Sequence, residues 1–151
     1  MTTRSIHDTV RVARALQAQT ITTSALNTGN LDLRGFDSAL FDVDIGAIDG
    51  LGSGSPTGGS IQVLVQHADD DGTGAPGAYA NVADTDLDGA TQSSGVVHTF
   101  DEDNTAKFTF GYVGSKRFVK ITLTPSGLGA GGPIYVTMVN GHAHLQPVTQ
   151  G

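Results

Sequence analysis

The stretch K-F-T-F-G-Y-V-G-S-K-R-F-V-K-I-T-L-T, Lys107 to Thr124, decides the fold. Phe108, Phe110 and Tyr112 alternate with Thr109 and Gly111, and Val119, Ile121 and Leu123 alternate with Lys120, Thr122 and Thr124. Alternation with a period of two places each apolar set on one face of a strand. Between the two runs, Val113-Gly114-Ser115-Lys116 offers a glycine for a reversal, so the stretch reads as two strands of one hairpin. It carries Phe108, Phe110, Tyr112 and Phe118 out of only nine aromatic residues, which makes it the expected centre of the core.

Further strands are expected on both sides. Towards the N-terminus, Ser38–Ile45 sends Ala39, Phe41, Val43 and Ile45 one way and Asp42 and Asp44 the other, and Ser60–His67 aligns Ile61, Val63 and Val65. Val96–Phe100 is a short candidate. Towards the C-terminus, Pro133–Asn140 has apolar residues on both faces, as suits a central or interface strand. Gly- and Ser-rich connections separate these runs, notably 46–59, 68–79 and 125–132. The chain has 151 residues, 21 of them Gly, and no Cys or Trp. Six to eight strands in a chain of this length predict one all-β domain, an antiparallel β-sandwich with the jelly roll as one arrangement. That domain is expected over 17–151. Residues 1–16, with Ile6, Val10 and Ala13 at i, i+4 and i+7, are expected to form an N-terminal arm, either extended or partly helical.

Composition excludes several function classes. Net charge is −7, and nine of the fifteen acids fall between Asp69 and Asp103, so the body repels phosphate backbones and nucleic acid is not an expected partner. No apolar run is long enough to span a bilayer or to follow Arg4, Arg11 and Arg14 as a secretory signal, so no membrane partner is expected. Without Cys there is no disulfide framework or thiolate chemistry, which is compatible with synthesis in the cytosol.

Candidate sites are sparse. Asp84-x-Asp86-x-Asp88-Gly89 resembles the first half of a calcium loop, but position twelve is Gly95 where an EF-hand needs a bidentate Glu, so an acidic surface turn is the expectation. His142-x-His144 would share a strand face, yet a metal site needs a third ligand, from His7, His67 or His98. The glycine runs at 50–54 and 127–132 lead into strand patterns rather than helices, so they are turns and not phosphate cradles. No nucleophile elbow or distinguished carboxylate pair appears, and no enzyme, cofactor or metal is expected.

Four motifs carry a family resemblance. They are Asp32-Leu33-Arg34-Gly35-Phe36-Asp37-Ser38-Ala39, Gln66-His67-Ala68-Asp69-Asp70, Gly111-Tyr112-Val113-Gly114-Ser115-Lys116-Arg117-Phe118-Val119-Lys120, and Gly141-His142-Ala143-His144 with Pro147. Together they make the chain, over most of residues 17–147, similar to a family of small tailed-phage and prophage structural proteins. The segment after Asp71 is longer and richer in Gly than that pattern. The resemblance implies a virion component made in the host cytoplasm. Its expected role is a capsid decoration (cement) protein on the head surface, bound to the major capsid protein and assembled as a homotrimer. A neck or tail protein is the alternative within that class, and a jelly-roll carbohydrate-binding module lies outside it, although the chain lacks the exposed aromatic platform that sugars stack on. For a shell-binding protein, Arg4, Arg11 and Arg14 on the arm, Arg34, Lys116 and Arg117, and His142 and His144 are the expected capsid or intersubunit contacts, since guanidinium forks suit interface carboxylates.

Overall fold

Apolar residues at every second position become strands wherever a partner strand can take their backbone groups. The computed structural model describes residues 6, 9–52, 58–101 and 106–144. Its strands are β1 (Arg11–Ile21), β2 (Leu26–Asn27), β3 (Leu31–Asp32), β4 (Phe36–Ile45), β5 (Ser60–Ala68), β6 (Ala80–Asn81), β7 (Leu87–Asp88), β8 (Val96–Phe100), β9 (Ala106–Tyr112), β10 (Phe118–Ser126) and β11 (Gly132–Ala143). One sheet has the order β1-β11-β4-β9-β7. In the other, β10 lies between β5 and the short β2 and β3, while β6 and β8 pair the far side of β5. All these pairings are antiparallel.

The pairing order is that of a jelly roll. The first long strand pairs the last, β1 with β11, and β2 and β3 pair the next to last, β10. Moving inward, β4 pairs β9 and β5 pairs β8. Rolling this ribbon brings β11 beside β4 and β10 beside β5, which closes the two sheets of the sandwich. Phe41, Val43, Phe110, Ile134 and Val136 from one sheet meet Ile61, Val63, Val65, Ile121 and Leu123 from the other, all buried. Phe41 and Phe110 stack with ring centroids 5.3 Å apart. Each such side chain contributes roughly 1.5–3 kcal/mol by leaving water.

The strands at 107–124 exist as expected, but they do not form a hairpin. β9 pairs β4, with Phe110 opposite Phe41, and β10 pairs β5, with Leu123 opposite Val63. Residues 113–117 therefore arch from one sheet to the other. Alternation fixes which face of a strand is buried; it does not fix which strand lies alongside. The arch wraps tightly over Tyr112: a Cβ on Gly114 would lie 2.6 Å from the Tyr112 hydroxyl.

The expected boundary at residue 16 falls inside a strand. Arg11, Val12, Ala13, Arg14 and Leu16 pair with Asn140, Val139, Met138, Thr137 and Val136 of β11. They belong to the sandwich as its edge, and of the two forms expected for the arm they take the extended one. A bulge near Ala15 buries both Ala15 and Leu16, and this breaks the simple alternation that would have announced the strand. Arg4 lies outside the described residues.

Candidate functional site

Three stretches meet at one end of the sandwich, around an open cleft of about 550 Å³. One wall is Leu33–Asp37, the entry to β4. A second is Val113–Arg117, the arch, and His144 closes the cleft from the end of β11. Main-chain bonds join the walls: the Leu33 N–H donates to the Arg117 carbonyl (2.9 Å) and the His144 N–H to the Gly35 carbonyl (2.9 Å). Three of the four motifs singled out in the sequence, far apart along the chain, thus build one surface.

Arg117 is committed within the chain. Its Nε donates to Asp32 Oδ1 (2.9 Å), its Nη2 to Asp32 Oδ2 (2.7 Å), and its Nη1 to Asp70. The guanidinium also lies 4.6 Å from the centroid of the Phe118 ring. Hydrogen bonds from Arg117 hold the Asp32 carboxyl below the usual range, and those from Asp32 raise Arg117 above its own. Lys116 Nζ pairs with Asp69. These contacts tie the arch to β3 and to the turn after β5. That turn is itself fixed by Asp70, whose carboxylate accepts the N–H groups of Gly72 and Gly74 and is thereby held low.

Beneath the arch lies a buried polar contact that the sequence reading treated only as a spare metal ligand. His67 Nδ1 is 3.0 Å from the Tyr112 hydroxyl, which accepts the Lys116 N–H at 3.2 Å. Burial pushes His67 below its ordinary 6.5 even though Asp86 Oδ2 lies 3.8 Å away, and burial pushes Tyr112 up to about 12. The signal was legible in principle: His67 extends the inward series Ile61, Val63, Val65, and Tyr112 extends Phe108, Phe110.

The remaining candidates are dispersed. Arg34 is exposed on the cleft wall; its N–H donates to Asp32 Oδ1 (2.9 Å), and its guanidinium has no ion pair among the described residues. His144 Nε2 meets Asp37 Oδ1 at 2.5 Å, whereas His142 Nδ1 meets Ser38 Oγ at 2.8 Å. His142 has a left-handed backbone (φ 53°), so the two imidazoles take different partners instead of sharing a strand face. His98 is stacked on Phe108 at 4.2 Å. Ser115 lines the cleft with the His144–Asp37 pair, yet the hydrogen bonds of His144 run to Asp37 and Gly35. Arg11 sits over Phe36, 5.4 Å from the ring centroid, and Arg14 is exposed on the outer side of β1, away from the cleft lining.

The acidic loop does not close on itself. Asp84 Oδ1 accepts the Gln92 N–H at 2.7 Å, Asp86 turns to His67, and Asp88 packs against Gly111. Among the described residues no group of three or more His, Cys, Asp or Glu side chains is placed to hold a metal ion. The cleft therefore supplies charge and hydrogen bonding on a braced frame, with Arg34 and the exposed Val113 turned outward.

No protein-family model matches the chain, and no curated protein matches its sequence. A solved structure described by the words "Bacillus endospore appendages form a novel family of disulfide-linked pili" is similar over 95% of this chain and 99% of its own. The identity is 12% and the TM-score 0.39.

Proposed function

We propose that this protein is a structural component of a tailed-phage virion, a decoration (cement) protein that docks on the assembled head shell. The observation that carries the reading is the convergence of three distant motifs on one cleft. Their charged residues brace the end of a rigid jelly roll and leave Arg34 and Val113 facing out. A cement protein needs that combination: a body stable without disulfide or metal, and a fixed surface that meets a repeating partner. The partner is the major capsid protein, engaged through a carboxylate that takes the exposed Arg34 fork and an apolar side chain that covers Val113.

Binding of the purified protein to heads that lack it tests the reading. Wild type is expected to co-sediment with the particles at a fixed ratio to capsid subunits, and Arg34→Glu to stay in the supernatant while remaining folded. Equal binding by Arg34→Glu would remove the cleft from the contact. A protein found only at the neck or tail of the particle would replace the decoration role with the neighbouring one.

A further inference from the structure

The outer face of the β1-β11-β4-β9 sheet departs from what a solvated sheet presents. One row across it reads Val12, Val139, Leu40, each directly opposite the next. Val12 is 55% and Leu40 45% exposed, and Tyr135, nearby on the same face, is 40% exposed. These are three of the five large exposed hydrophobic residues among the described residues, gathered on one sheet face. Beside the β1 bulge, a hollow of about 390 Å³ opens between Val12, Arg14, Gln17, Tyr135 and Thr137.

The neighbouring row reads Arg14, Thr137, Asp42, Thr109. Asp42 accepts a hydrogen bond from the Thr109 hydroxyl (2.7 Å), and in the next row Asp44 accepts one from Tyr135 (2.8 Å). Neither carboxylate has an ion pair among the described residues, with Lys107 standing directly opposite Asp44 on β9, and Arg14 has no acid there. The face thus holds Arg14 on β1 and Asp42 on β4, neither with an ion pair among the described residues, on opposite sides of β11.

We propose that this face receives a second copy of the chain, in a two-fold pair whose axis runs along β11. A half-turn about such an axis exchanges β1 and β4 across β11 and leaves each row at its own height. Within the apolar row, Val12 then faces the partner subunit's Leu40, Val139 faces its own counterpart, and Leu40 faces the partner subunit's Val12. In the next row Arg14 faces the partner subunit's Asp42 and Asp42 the partner subunit's Arg14. The contact is isologous, with each pair made twice. Strands stay aligned between the two sheets, the ordinary geometry for sheets packed about 10 Å apart. Arg14 and Asp42, which the fold leaves without ion pairs among the described residues, are matched by the symmetry, which favours a copy of this chain over an unrelated occupant. A two-fold pair differs from the trimer that the family resemblance implies, and it stands independently of the shell-binding reading.

Sedimentation equilibrium from micromolar to millimolar chain tests it by charge exchange. Wild type is expected to rise from the 15.5 kDa of one chain to twice that mass. Arg14→Asp and Asp42→Arg are each expected to remain single chains where wild type is paired, and the double variant to pair again. Leu40→Lys, which touches no ion pair, is expected to remain single, and thermal melts of all the variants verify that they fold. The proposal is overturned by a wild type that stays at one chain mass or forms trimers, by a double variant no better than the single ones, or by a Leu40→Lys protein that still pairs.

Discussion

Two regions use the same residue types in opposite ways. At the arch end, Arg117 and Lys116 are spent on Asp32, Asp70 and Asp69, and Tyr112 is spent on His67. On the outer face of the first sheet, Arg14 and Asp42 have no ion pair within the described residues, and Val12 and Leu40 lie in the open. Charge that is matched inside the chain holds the chain together; charge left unmatched beside apolar surface has only another molecule to meet. A substitution at the arch should therefore register as lost stability, and one on the sheet face as lost association with stability intact.

The sharpest break in that contrast comes from Tyr112→Ala. It removes a fully buried ring on which the arch rests and is expected to cost about 3–5 kcal/mol in chemical denaturation. Tyr112→Phe keeps the ring and strands the His67 nitrogen and the Lys116 N–H, for a loss of about 1–2 kcal/mol. Acid should act next. Burial depresses His67 and His98 below 6.5, so the unfolded chain takes up protons there before the folded one. Stability present above pH 6.5 is then lost as pH falls through the depressed folded values, and His67→Asn should flatten that part of a thermal-midpoint profile. Asp32, Asp70 and Asp71 are held below 3.8, so a second loss is expected as pH falls beneath that value. Smallest is Leu40→Ala, expected to change the stability of dilute protein by no more than about 0.5 kcal/mol. A loss there as large as that of Tyr112→Phe would dissolve the distinction between the two regions.

Much of the sandwich was legible because inward residues alternate. Ser38–Ile45, Ser60–His67 and Val96–Phe100 all appear as strands near their expected limits. Pairing was not legible. Val119, Ile121 and Leu123 look the same whether their strand lies beside β9 or beside β5, because alternation records burial and not neighbours. The edge β1 was obscured by its bulge and by Val12, which points outward. At the cleft, the fold brings Arg34, Lys116, Arg117 and His144 together, which their places along the chain do not reveal, and the sequence could not separate Arg117 from Arg34. Its partners, Asp32 and Asp70, lie 85 and 47 residues away, and only the rolled topology brings them within reach of one guanidinium.

The measurement that bears most directly on the proposed role is cryo-electron microscopy of the phage particles to which that role would assign the chain. The account expects jelly-roll density at repeating positions on the head surface, with the Arg34–Val113 end turned to the shell. Heads bare of such density, in particles from which the protein is absent, would contradict it.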